Sequence, residues 1–272
     1  MIVAVSRARI RLVVLLLLLA VAAPAALAAA KYPRYWLWIA PELTPMTWLQ
    51  TVVLVLAAAA AGLISFTGSL RGWSGWQRLP YAALGLGLLY LALDDRFAVH
   101  ERIRDRILAP RNLRIPGLTW LAPGDFQMLL MAVAGLLLLP FVLRALRRDR
   151  LAFLLFILGA VTAAVAIGMD SIDPSTMPVE TERLEQTAEE CLELLAGCLF
   201  LASLGARLLG LIGEPAAASR WTKLAVPDHP TAPDHAVPAA PAASGEATVA
   251  LPQRPRESDG GRELVSVHGT GN

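Results

Sequence analysis

The chain has 272 residues, of which 56% are hydrophobic, and its mean hydropathy is +0.55. This composition excludes an ordinary soluble domain, since the apolar residues come in long blocks rather than in alternation with polar ones. The formal net charge is only +2, and the basic residues stand in short clusters beside apolar blocks, so nothing predicts binding to nucleic acid. We therefore expect a multi-pass membrane protein whose first partner is the lipid bilayer.

Six apolar blocks predict the membrane-spanning helices. The first, residues 12–30, follows three arginines and ends in a small-residue tract, so it is either a cleaved signal peptide or a first span. The five clearer blocks are residues 48–66, 80–99, 126–143, 151–169 and 189–212. The predicted fold class is an all-α integral membrane protein, a bundle of five or six transmembrane helices.

Three regions follow from these blocks. Residues 1–30 are a signal peptide or first transmembrane helix, and residues 31–213 form the transmembrane bundle. After residue 213 the composition changes to Pro, Ala, Ser and Gly with scattered charges, which predicts a disordered tail over residues 214–272.

Arginines indicate the orientation, because Lys and Arg in short loops stay on the cytoplasmic side. If the segments alternate, the basic residues before the first block, after the second, after the fourth and after the last all fall on one side. The opposing loop, with its arginines at 102, 104, 106, 111 and 114, conflicts with this pattern, although acids are mixed into it. We expect a protein of the cell (inner) membrane with its N-terminus and tail in the cytoplasm.

Acidic residues gather at the other end of the predicted bundle. The third block ends at Asp94, Asp95, His100 and Glu101, the fifth is followed by Asp170 and Asp173, and the last begins with a run of glutamates. In an alternating topology these ends share one side, the extracytoplasmic side by the arginine argument. The apolar stretches beside Asp94, Asp95 and Glu193 are shorter than the roughly 20 residues needed to cross a bilayer, so these acids are expected inside the apolar region.

Helical spacing predicts which acids share a face. In one continuous helix Asp94 and Glu101 are two turns apart and nearly eclipsed. Glu185, Glu189 and Glu193 follow an i, i+4, i+8 pattern and make one stripe, which is not expected to face lipid. Like charges at this spacing repel each other, so the stripe needs protons, cations or arginines between its members.

Three explanations remain open for these acids: a divalent-cation site, a proton or cation relay, and a structural network neutralised by arginines. The preferred metal ligands are Asp94, His100, Glu101, Glu189 and Glu193. Alternates, or residues that orient these ligands, are Asp95, Asp170, Asp173, Glu185 and Glu190. Carboxylates with one imidazole suit Zn, Mn or Fe, and oxygen-only sets suit Ca or Mg. The sequence leaves open whether the protein is an enzyme acting on a lipid or lipid-linked substrate, a transporter or transporter subunit, or an assembly partner.

Two short motifs carry a resemblance. The run Leu-Asp-Asp-x4-His-Glu at residues 93–101, together with Glu-Glu-x-x-Glu at 189–193, resembles the acid-rich motif of a set of uncharacterised bacterial multi-pass membrane proteins. That resemblance implies a multi-pass membrane protein and no particular activity.

Overall fold

The computed structural model describes residues 2–41, 43–111, 126–170 and 178–214. Regular structure in these ranges is helical, which confirms the predicted fold class. The helices are α1 (Ile2–Ala30), α2 (Pro45–Leu70), α3 (Gly75–Phe97), α4 (Val99–Ile103), α5 (Phe126–Leu146), α6 (Arg150–Asp170) and α7 (Val179–Gly213). Short 3-10 or π turns lie at Tyr35–Trp38, Arg104–Leu108 and Ala109–Arg111. The predicted tail lies outside the described residues, apart from its first residue, Glu214.

Helix length and apolarity show that the protein is embedded in a membrane. Among the described residues, α1, α2, α6 and α7 are long and apolar enough to span a bilayer, and α5 contains a shorter apolar stretch, Leu130–Leu146. The sequence predicted a further span in the region of α3. That helix has 23 residues, but it is much less apolar than α2. Charged and polar residues in its first and last turns account for the difference, because they dilute the apolar stretch between them.

Local sequence explains where the helices begin. α2 starts at Pro45 in the first helical position, where a missing N–H costs nothing. α3 starts with a capping box in which the Ser74 amide donates to Gln77 Oε1 at 2.9 Å. At the start of α6 the Ala152 amide donates to Asp149 Oδ1 at 3.3 Å, so Asp149 caps that helix.

α7 is the central helix and packs against α1, α2 and α6. On the α6 side, Ser203 Oγ donates to the Ala152 carbonyl at 2.6 Å, and the rings of Phe156 and Phe200 lie 5.1 Å apart. On the α2 side, a Cβ at Gly197 would lie 3.2 Å from Val53 Cγ1, so the missing side chain brings the two helices close. α1 packs on the same helix and contributes buried apolar residues to one of the two core clusters.

Polar contacts show that the helices alternate in direction, as the sequence predicts. Arg9, near the start of α1, pairs with Asp149 between α5 and α6, and Arg71, after α2, donates to the Leu211 carbonyl near the end of α7. We call this the arginine end. At the opposite end, Gln50 near the start of α2 contacts Glu190 on α7. We call this the acidic end.

Candidate functional site

Side chains of α2, α3 and α7 meet at the acidic end. Thr51 Oγ1 donates to Asp95 Oδ2 at 3.0 Å, which ties the end of α3 to α2. Gln50 Nε2 donates to Glu190 Oε2 at 2.8 Å and to the Glu190 carbonyl at 3.0 Å, and it lies 3.4 Å from Glu193 Oε2. A single amide of α2 therefore joins two carboxyl groups of α7.

Glu190 lies among other carboxyl groups. Asp95 from α3, and Glu189 and Glu193 from its own helix, are close enough to interact with it electrostatically. We call Asp95, Glu189, Glu190 and Glu193 the acidic cluster. The described groups that act on Glu190 are these three acids and Gln50, and none of them is basic. Because like charges repel, a carboxyl group in this setting requires a proton or a cation.

Gln50, on α2, contacts two members of the acidic cluster through its side-chain amide. Its side chain is only 3% exposed. All three contacts to α7 use Nε2, while Oε1 is buried and has no hydrogen-bond partner within the described ranges. An orphaned buried acceptor costs about 1–3 kcal/mol. An amide oxygen is also a ligand type that hard cations accept.

The depth of the cluster follows from the length of α7. Its 35 residues extend over about 52 Å, whereas the apolar core of a bilayer is about 30 Å thick. The first turns are rich in charged residues, so they are the part that projects beyond the apolar region. There the Arg183 guanidinium lies 4.4 Å from the centre of the Trp36 ring. Glu190 and Glu193 lie further along the helix, towards the apolar core. Glu180, in the first turn, pairs with Arg183 on the surface.

The predicted alignment of Asp94 with Glu101 is wrong, because the helix is not continuous. α3 ends at Phe97, and Ala98 adopts a left-handed conformation with φ 46° and ψ 50° before α4 begins. Such a residue turns the chain out of the helical path, so spacing along one helix no longer relates the two acids. His100 and Glu101 lie in α4, and their side chains are outside what the structure describes.

The other predicted residues are distributed as follows. Asp94 is buried on α3, with 7% of its surface exposed. Glu185 and Glu189 are half-buried on α7, and Glu193 is exposed at the protein surface rather than enclosed. Asp170 is the last residue of α6, and its side chain is not among those described, whereas Asp173 lies outside the described ranges.

The acids that meet are not the full predicted ligand set. Within the part of the chain that the structure describes, no group of three or more His, Cys, Asp or Glu side chains is arranged to hold a metal ion. Glu190, predicted only as an alternate, has the contacts to α2. Gln50 and Thr51 were not predicted at all. The available signal was two adjacent polar residues near the start of an apolar block.

At the arginine end, by contrast, acids and bases pair. Asp149, 8% exposed, pairs with Arg9 from α1. Glu214 Oε2 lies 3.4 Å from Arg71 Nη1, and its Oε1 lies 3.4 Å from Arg207 Nη1. These ion pairs join α1 to the junction between α5 and α6, and the end of α2 to the end of α7, which is a structural role. Arg207, inside the last apolar block, was the sequence signal for them.

Comparison with known proteins identifies the family. Residues 9–208 match the family model described as Domain of unknown function (DUF8692), a range that contains the whole acidic cluster. No curated protein matches the chain, and no solved structure matches it. These findings agree with the resemblance to multi-pass proteins that have no assigned activity. Because the match covers most of the chain, the protein belongs to the family described as Domain of unknown function (DUF8692).

Proposed function

We propose that the acidic cluster binds a cation, in the first instance a divalent metal ion, at the membrane edge of the bundle. The observation that carries this proposal is the setting of Glu190. Three carboxyl groups and a buried amide act on it, and no base does, within the described residues. A cation would offset the repulsion between the acids and would give Gln50 Oε1 a partner.

The setting of Glu190 supports a cation better than a neutralised salt bridge, because none of the described groups that act on it is basic. Arg183, the basic residue of α7 nearest in sequence, pairs with Glu180 and stacks on Trp36 instead. By comparison, the acid before α6 and the acid after α7, both at the arginine end, each have an arginine partner. The acids of these ion pairs are therefore neutralised by arginine, whereas Glu190 lies among other acids.

The test is metal binding by the full chain in detergent, measured by titration calorimetry with Mn²⁺, Zn²⁺ and Ca²⁺. We expect at least one of these ions to bind, and Glu190→Gln to weaken binding by about tenfold or more, as loss of a ligand or of a group that orients one does. Glu180→Gln is the matched control, because that side chain is 76% exposed and pairs with Arg183 on the surface. Absence of binding by the wild-type protein, or equal binding by Glu190→Gln, contradicts the proposal.

A bound transition metal would bring hydrolytic chemistry within reach. Its water ligand would supply a nucleophile at the bilayer surface, where a lipid or lipid-linked substrate presents its headgroup. From the arginine distribution we propose that this surface is extracytoplasmic and that the membrane is the inner membrane. Cysteine labelling from each side of the membrane tests the orientation: a cysteine at Thr181 is expected to react from the outside only.

A second candidate is a proton relay in a transporter or transporter subunit. The observation that favours it is the hydrogen-bonding pattern of Gln50: Nε2 donates to Glu190 Oε2, and Oε1, which has no partner among the described residues, can accept a hydrogen bond from the O–H of a protonated carboxyl group. Proton flux into liposomes containing the purified protein tests this role. Flux that Glu190→Gln abolishes and Glu180→Gln preserves supports the relay. Flux unaffected by Glu190→Gln excludes the cluster as its path.

A further inference from the structure

A groove of about 640 Å³ lies between α2 and α3. It is on the side of α2 that faces away from α7. Its walls are mostly small or apolar side chains, among them Gly62 on α2 and Ala82 and Leu86 on α3. Ser69 and Arg78 line it at the arginine end. The groove is therefore apolar along most of its length and polar at one end.

The dimensions of the groove fit a lipid chain. On α2 its lining runs from Val55 to Ser69, which corresponds to about 21 Å of helix. One leaflet contributes about half of the roughly 30 Å apolar core of a bilayer, so an acyl chain that starts beside Arg78 can lie in the groove for its length. The volume also falls in the usual range for small-molecule sites.

Arg78 differs from Arg9 and Arg207, the other arginines at this end whose Nε is buried without a hydrogen-bond partner among the described residues. Arg9, Arg71 and Arg207 each have an acidic partner. Arg78 has none in the described part of the chain, and its Nε is buried without a hydrogen-bond partner. A guanidinium at the mouth of an apolar groove complements a phosphate that carries an apolar chain. A second apolar helix could pack against the small residues of the groove, but it would leave the Arg78 guanidinium without an anionic partner.

We propose that the groove between α2 and α3 binds one anionic phospholipid, with its phosphate on Arg78 and an acyl chain along Gly62. This site is separate from the acidic cluster. If the arginine end is cytoplasmic, the groove opens to the leaflet that holds the anionic lipids of a cell membrane. The lipid then covers an otherwise open face of the α2–α3 pair.

The structure offers matched variants for a test. A Cβ at Gly62 meets no atom within 4 Å, so the side chain of Gly62→Leu can begin in open space and extend into the groove. Gly87, on the opposite face of α3, is equally open, which makes Gly87→Leu the control for adding a leucine. Arg78→Gln removes the phosphate contact, and Arg147→Gln removes one exposed arginine from the same end.

The experiment titrates the delipidated full chain in detergent with phosphatidylglycerol or phosphatidylcholine and counts bound lipids by native mass spectrometry. We expect one retained phosphatidylglycerol, binding about tenfold weaker in Arg78→Gln, and none retained in Gly62→Leu. The two controls are expected to bind as the wild type does. Unchanged binding in Gly62→Leu, or equal retention of phosphatidylcholine, overturns the proposal. A dimer that Gly62→Leu dissociates, without a change in lipid binding, shows instead that a second copy occupies the groove.

Discussion

Substitution of Asp149 separates two stabilising effects at the arginine end. Its carboxyl group pairs with Arg9 and also accepts the Ala152 amide at the start of α6. Loss of a helix cap costs about 1 kcal/mol. Loss of one member of a buried ion pair costs about 3–5 kcal/mol, and we reduce this to about 2 kcal/mol because the Arg9 side chain is 21% exposed.

Asp149→Ala is therefore expected to lower the free energy of unfolding by about 3 kcal/mol, from the cap and the ion pair together. Asp149→Asn keeps an oxygen for the cap and is expected to cost about 2 kcal/mol. Unfolding of the purified protein in mixed detergent micelles measures both. If the two variants are equally unstable, the helix cap contributes nothing to stability, which contradicts the capping role of Asp149.

A double-mutant cycle tests the ion pair itself. Arg9→Gln and Asp149→Asn each remove one charge, so the double variant is expected to be more stable than the sum of the single effects by about 1 kcal/mol or more. Additive effects would refute the claim that Arg9 stabilises the bundle through Asp149.

Three further outcomes follow from the packing of the helices. Intact-mass measurement is expected to find α1 retained, because it packs on α7; a mass lacking the first 30 residues or so refutes this. Ser203→Ala removes the buried bond to the Ala152 carbonyl and is expected to lower the free energy of unfolding by about 1 kcal/mol. Thr162→Val removes an exposed bond within α6 and is expected to cost little, so equal effects would contradict the assignment. Gly85→Leu is expected to destabilise the packing of α2 against α3, because even a Cβ at this position would lie 3.1 Å from the Ala58 carbonyl oxygen. A thermal melt that matches the wild type would show that the two helices can move apart at no cost.

The sequence predicted the bundle well, because its strongest signals are local. Long apolar blocks require helices in a bilayer, and clustered arginines mark one end of them. Alternation then placed the ends of α3 and α7 together, and the interaction of Asp95 with Glu190 confirms that placement.

The arrangement of the site depends on contacts between helices, and the spacing of residues along one helix does not predict such contacts. Ala98 is an ordinary helix-forming residue, and the residues around it in the sequence do not predict its left-handed conformation. The i, i+4, i+8 pattern identified a glutamate stripe, yet Glu190, beside that stripe, is the residue that meets α2. The packing of α7 against three helices at once determines which of its faces contacts Gln50. The sequence of a single segment does not specify this packing.

The most direct test of the central claim is an anomalous difference map from crystals of the full chain grown with Mn²⁺. If the acidic cluster binds a cation, a peak is expected within coordination distance of the Glu190 carboxyl group and Gln50 Oε1. No peak at the acidic end, or an arginine side chain occupying the space between the carboxyl groups, would contradict it.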